Sequence, residues 1–162
     1  MKPVWQFTNQ TKLNKTQFID YTERKVFRTI RKHNMLPKNK IITLKKDNSL
    51  NTQVLKKIIE TKFKVKIIPN TKYQIPNTSP NNLSEIAEQI FKKILKGNFK
   101  PTITKTPLFY LSDKEIELYA KLTNTKGTKR KQDKKIQDLF KKFLTKNQDL
   151  ELNIIKAASQ LN

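Results

Sequence analysis

Lys40-Ile41-Ile42-Thr43-Leu44, followed by Lys45-Lys46-Asp47-Asn48-Ser49, is a short β-branched run that ends in a polar turn. A run of that composition reads as a buried strand. Downstream, Val54, Leu55, Ile58 and Ile59 fall at helical spacing, and Val65-Lys66-Ile67-Ile68 repeats the strand pattern. Strand, helix and strand in that order predict the start of an α/β sheet, for which a right-handed crossover between parallel strands is the default. Asn70 to Asn82 is rich in Pro, Asn, Thr and Ser and reads as a loop.

Upstream of that unit the spacing predicts a helix from Thr16 to His33. Phe18, Ile19, Thr22, Val26, Phe27 and Ile30 share one half of its wheel. The other half carries Arg24, Lys25, Arg28, Arg31 and Lys32, expected as one solvent-facing cationic stripe. Apart from Glu23, the stripe lacks the acidic neighbours that normally relieve repulsion on a solvated helix face, which favours phosphate as its partner.

Downstream, Leu83, Ile86, Ala87, Ile90, Phe91, Ile94 and Leu95 keep helical spacing between an Asn82 N-cap, with Glu85 as its partner, and Gly97 at the C-terminus. Ile103 to Tyr110 reads as a further extended segment. Ser112-Asp113-Lys114-Glu115 is a capping box, with Leu111 and Ile116 as its hydrophobic staple, and it opens a helix to Leu122. Thr123 to Lys135 holds six basic residues, Lys126, Lys129, Arg130, Lys131, Lys134 and Lys135, one acid and no apolar side chain. Two readings stand for it: a solvated linker, or a mobile phosphate-binding loop that orders on RNA. Two further helices are expected, with Ile136, Leu139, Phe140, Phe143 and Leu144 on the face of one and Leu150, Ile154, Ile155, Ala158 and Leu161 on the face of the other. They are expected to form a hairpin that closes the domain. Their apolar faces, Phe140 and Phe143 with Ile154 and Ile155, are also candidates for a shared interface.

Composition bounds the chemistry. Lys and Arg number 35 against 13 Asp and Glu in 162 residues, a formal charge of +22, and nucleic acid is the default partner for such an imbalance. An anionic membrane is the competing partner, but the basic residues are spread over the chain instead of forming one cluster. No run of about 18 apolar residues exists to cross a bilayer, and Met1-Lys2-Pro3-Val4-Trp5 shows no signal-peptide pattern. The expectation is a soluble cytoplasmic protein that binds RNA and no membrane. The absence of Cys removes thiolate metal sites, iron-sulfur ligation and cysteine nucleophiles. His33, the only His, is expected at a helix end as a plain polar residue. With Gly only at 97 and 127, no glycine-rich phosphate loop can be built. No catalytic residue, metal ligand or cofactor is assigned.

Three segments resemble the PP-loop tRNA thiolation enzymes, the 2-thiouridine synthetases of archaea and the eukaryotic cytosol. Leu13 to Lys32 resembles the basic helix that precedes their nucleotide loop. Pro107-Leu108 with Ser112-Asp113-Lys114-Glu115-Ile116-Glu117-Leu118-Tyr119-Ala120 is similar to their Pro-Leu and Pro-Glu-Lys-Glu-Val-Ala-Leu-Tyr-Ala segment. Phe143-Leu144 to Asn153-Ile154-Ile155-Lys156-Ala157 is similar to their closing helices, and Asn82-Leu83-Ser84-Glu85 to their Asn-Leu-Asp-Asp helix start. The resemblance implies a reduced PP-loop (adenine nucleotide alpha-hydrolase-like) α/β domain over residues 1–122 with a short parallel sheet. A basic linker over 123–135 and a C-terminal helical hairpin over 136–162, packed on the same domain, would follow.

The departures from the family pattern are as informative. Where the family has Ser-Gly-Gly-Lys-Asp-Ser to hold ATP phosphates, this chain has Lys45-Lys46-Asp47-Asn48-Ser49, so Lys45, Lys46, Asp47 and Ser49 would form a degenerate nucleotide loop. The family's catalytic and zinc-binding cysteines have no counterpart, and the part of the sheet expected between Ile68 and Asn82 is missing or compressed. The resemblance thus implies a non-catalytic subunit that binds tRNA, a catalytic PP-loop thiolation partner, or both. A ribosome-associated or general RNA-binding protein is the second reading, and an ATP-dependent enzyme with an altered loop the third.

Overall fold

A computed structural model describes residues 2–69, 79–147 and 149–160. Its first element is one the sequence reading did not anticipate. Strands β1 (Trp5–Gln6) and β2 (Lys12–Leu13) pair antiparallel, Trp5 opposite Leu13, through a turn in which Gln10 takes φ 66°. The hairpin exists to cover a helix. Trp5 packs at 5.3 Å from the ring of Phe18, and Phe7 meets Tyr21 edge-on at 5.1 Å.

That helix, α1 (Lys15–Lys32), begins at an Asn14 N-cap with Gln17 completing the capping box and ends at His33, the helix-end position expected for it. Phe18, Thr22, Val26, Phe27 and Ile30 are buried along one face. Strand β3 (Ile41–Lys45) follows and alternates as a half-covered strand does, with Ile42 and Leu44 buried. Helix α2 (Leu50–Glu60) then crosses over to β4 (Lys64–Ile68), which pairs parallel with β3 in the register Ile41↔Lys64 to Lys45↔Ile68. Parallel neighbours need such a crossover, and α2 supplies it, burying Val54, Leu55, Ile58 and Ile59 completely. Among the described residues the parallel sheet has two strands. Most of the Asn70 to Asn82 stretch, read as a loop where the family has further sheet, lies outside the described residues, as does Leu161.

Helix α3 (Leu83–Leu95) starts at Asn82, whose side chain accepts from Glu85 N, and stops at Gly97, where φ is +82° and only glycine is unstrained. Helix α4 (Asp113–Leu122) has the full capping box of Ser112 and Glu115, with Leu111 and Ile116 both buried as its staple. Helices α5 (Lys134–Leu144) and α6 (Leu150–Gln160) complete the chain. The extended segment expected over Ile103 to Tyr110 does not form. Residues 107–110 are turns, closed by Phe109 N donating to Thr106 O and Leu111 N to Leu108 O. Pro107 removes a ladder donor there. Successive side chains also part company: Leu108 enters one core and Phe109 the other.

One core joins α1, α2, α4 and the β3 and β4 pair; the second joins α3, α5 and α6. Helix α6 packs chiefly on α3, so the last two helices close the domain through α3 as well as through each other. Phe140 and Ile155 belong to that second core, whereas Phe143 is 58% and Leu139 42% exposed.

Candidate nucleic-acid interface

The turn between β3 and α2 occupies the place where an α/β sheet of this topology presents a helix N-terminus to phosphate. In this chain the helix terminus is already filled. Ser49 caps α2 by accepting from Thr52 N, and the Asp47 carboxylate accepts from Ser49 N at 3.1 Å and from the Thr52 hydroxyl at 3.2 Å. Hydrogen bonds from Ser49 hold the Asp47 carboxyl below its ordinary range, so a negative charge sits at the positive end of the helix. The main chain closes the rest. Leu50 N donates to Thr128 O and Thr128 N to Asn48 O, each at 2.8 Å, laying residues 127 and 128 across the turn. Gly127 permits the approach: a Cβ there would stand 2.7 Å from Leu50 Cα and 2.9 Å from Leu50 N. Lys46 is exposed, and its N–H goes to Ile68 O in the sheet.

The cationic residues divide in two. Arg28, Arg31 and Lys32 of α1 are exposed, and Arg24 is exposed with a surface partner, Asp20, at 2.9 Å. Such a pair is worth little and yields readily to a stronger anion. Lys25 is a correction to the solvent-facing stripe. Its ammonium donates to buried Glu115 at 2.8 Å and to the Tyr21 hydroxyl at 2.8 Å, fastening α1 to the start of α4. Burial pulls its pKa down, but Glu115 and Tyr21 together outweigh that and raise it. The partner is 90 residues away in sequence, beyond the reach of any helical-wheel argument.

The basic segment 123–135 divides in the same way. Lys126, Lys131, Lys134 and Lys135 are exposed, and Lys129 is exposed with Glu117 at 2.6 Å. With Lys114, Lys121 and Leu118, Lys126 and Lys129 line an open groove beside the 127–128 crossing. Arg130 is the second correction, because its side chain is only 13% exposed. Its guanidinium donates to Glu88 of α3 at 2.8 Å and to both oxygens of Asp113 of α4 at 3.0 Å. Lys92 and Asp133 N also donate to Glu88, and Asn82 and Gln132 to Asp113. The segment is therefore clasped to α3 and α4, and a mobile or purely solvated reading fails at Arg130. Nothing local marks Glu88 as the anchor, since it stands among the polar positions of a regular amphipathic helix.

No protein-family model matches the chain, and no curated protein sequence does. A solved structure does match: the U34-tRNA thiolase NcsA from Methanococcus maripaludis with its 4Fe-4S cluster superposes with a TM-score of 0.74 at 14% identity, over 98% of this chain and 84% of that one. The chain folds like a tRNA thiolase. That agrees with the PP-loop resemblance at the level of fold. The cluster of the thiolase has no counterpart in donor chemistry, because iron-sulfur clusters are held by thiolates and this sequence has no Cys. No helix among the described residues is long and apolar enough to cross a membrane.

Proposed function

We propose that this protein is a non-catalytic tRNA-binding subunit or accessory factor of a tRNA wobble-uridine thiolation complex, with the catalytic PP-loop chain supplied by a partner. The observation that carries the reading is the closed turn before α2. In a thiolase-like fold, the N–H groups of Ser49 and Leu50 are taken by Asp47 and Thr128, and Gly127 lets the chain lie where a phosphate would have to approach. A fold kept without an open nucleotide position, on a chain of +22, supports a binding role. The exposed side chains Arg24, Arg28, Arg31 and Lys32, with Lys126, Lys129, Lys131, Lys134 and Lys135, are the proposed RNA contacts. Phe143 and Leu139, left outside the second core, are the proposed apolar contribution to the partner contact.

The test has two arms. Calorimetry with magnesium-ATP is expected to give no measurable binding, and a micromolar dissociation constant would overturn the non-catalytic reading. Deleting the gene is expected to lower wobble 2-thiouridine, with a Cys-containing PP-loop protein recovered in a pull-down. Unchanged thiolation and no such partner would leave a general RNA-binding protein as the better account.

A further inference from the structure

Lys105 lies in the irregular segment between α3 and α4, and its ammonium stands 4.0 Å from the ring centroid of Phe109. Lys32, at the end of α1, places its ammonium 5.9 Å from the ring of Tyr110. The two adjacent rings meet edge-on at 4.8 Å, so the aromatic pair brings together cations that are 73 residues apart by number. The positive charges act on one another. Burial first, then the charge of Lys32, holds Lys105 below its usual pKa; burial first, then Lys105 and Lys32, does the same to His33. Among the described residues no carboxylate forms an ion pair with Lys32 or Lys105, although carboxylates fasten Lys25, Lys92 and Arg130. The His33 Nε2 beside them is buried without a hydrogen-bond partner.

We propose that Lys32 and Lys105, seated on Tyr110 and Phe109 at the C-terminal end of α1, form a phosphate-binding notch for the backbone of RNA. The proposal rests on the RNA-binding reading above and gives it a location. The charges of Lys32 and Lys105, carried on adjoining rings, repel one another, and a phosphate bound by both turns that repulsion into charge-assisted hydrogen bonds. The rings restrict both flexible side chains before the ligand arrives, which lowers the ordering cost of binding. Arg28, four residues before Lys32, continues the positive row along α1 at a step of about one helical turn, with Arg31 exposed beside it, so a strand seated in the notch runs on along the helix. Partly buried Tyr110 offers an aromatic edge to a base, a combination found where single-stranded segments are held. An isolated acidic peptide would use the charges but not the ring.

The experiment is a salt titration of binding to an unmodified tRNA transcript by fluorescence anisotropy, for the wild type, K32Q/K105Q, K32R/K105R and a charge-matched control, K142Q/K146Q. Removing two phosphate contacts is expected to flatten the slope of log K against log salt by about 1.4 and to weaken binding roughly tenfold near physiological salt. The arginine pair is expected to retain binding. The control is expected to lose less than about threefold, since long-range charge alone is screened. Circular dichroism melts check that each variant is folded. A steep wild-type slope with K32Q/K105Q unchanged, or no weaker than the control, overturns the notch and leaves the RNA reading intact. A wild-type slope near zero removes the RNA reading and the notch with it. Displacement of tRNA by polyglutamate at equal charge concentration as readily as by unlabelled tRNA also overturns the notch, in favour of an acidic protein partner.

Discussion

Replacing Arg130 by Met tests whether the basic segment is a structural clasp or a phosphate ligand. The wild-type guanidinium joins Glu88, itself 5% exposed, to Asp113, and Met leaves both carboxylates in place without it. Breaking a buried pair from one side costs about 3–5 kcal/mol, because the remaining charge is uncompensated. Lys92 still reaches Glu88, and Asn82 and Gln132 still donate to Asp113, so the lower end applies, about 3 kcal/mol. At about 2–4 °C per kcal/mol for a chain of this size, the melting midpoint at pH 7 should fall by roughly 6–12 °C. The pH dependence gives a second check. Burial is the largest influence on Glu88 and pushes its carboxyl up, but Arg130 and Lys92 together outweigh it and hold the folded value below 4.5. A carboxylate depressed on folding contributes stability that is full above the unfolded value and lost as pH falls through the folded one. The gap between wild type and variant should therefore be widest at neutral pH and shrink below about pH 4. Melts followed by circular dichroism at pH 7 and pH 3 read both. A midpoint change under about 2 °C, or a gap that persists in acid, would refute the clasp. So would intact stability combined with weakened RNA binding, which would return Arg130 to the phosphate ligands.

Two further outcomes follow from local geometry. Gly127→Ala forces a Cβ to within 2.7 Å of the Leu50 backbone and should lower stability by about 1–3 kcal/mol, whereas Gly97→Ala, with nothing within 4 Å, meets only the strain of its positive φ; equal effects in thermal melts would contradict the close crossing. Glu151 is pushed above its usual pKa, by burial first, so wild-type stability should decline as pH rises from the unfolded carboxyl value through the folded one. Glu151→Gln keeps an acceptor for the Ser84 hydroxyl and should melt at or above the wild type at pH 7; a lower midpoint there would show that the charge itself is needed.

Helices announced themselves where caps and periodicity agreed. Asn82 and Ser112 each sit at the N-cap that the sequence pattern marks, α1 starts one residue ahead of the expected Thr16 behind an unmarked Asn14 cap, and β3, α2 and β4 follow the alternation and spacing of their apolar residues. The failures share a cause, which is pairing over long sequence separations. Lys25 and Arg130 look like free surface cations until Glu115 and Glu88 are brought beside them. Gly127 sits in a polar, basic stretch, and nothing local says that it lies on Leu50. The β1 and β2 hairpin is two residues per strand, too short for any alternation to register, and it is held by Trp5 and Phe7 on α1. Nothing local marks Lys105, since Ile103 to Tyr110 reads as an extended segment, whereas the turn at 107–110 brings Phe109 and Tyr110 beneath two cations.

The carboxylates explain how one helix serves two ends. Glu88, Asp113 and Glu115 lie at or near the interior and each faces a particular cation, while Asp47 faces the N-terminus of α2 and Glu23 accepts from Tyr119. They fasten segments that are distant in sequence, where a low dielectric makes each contact specific. On α1 the consequence is a sharp change over three residues: Lys25 turns inward to Glu115, and Arg28 turns outward without an acidic partner among the described residues. Cations placed for solubility alone would be interleaved with acids at i and i+4, as Asp20 and Arg24 are. Beyond Arg24 that interleaving stops, and at the end of the helix the charge of Lys32 acts on Lys105, where aromatic rings lie against both ammonium groups. An anion bound by Lys32 and Lys105 would relieve the repulsion of those two charges without disturbing the buried pairs that keep the domain together.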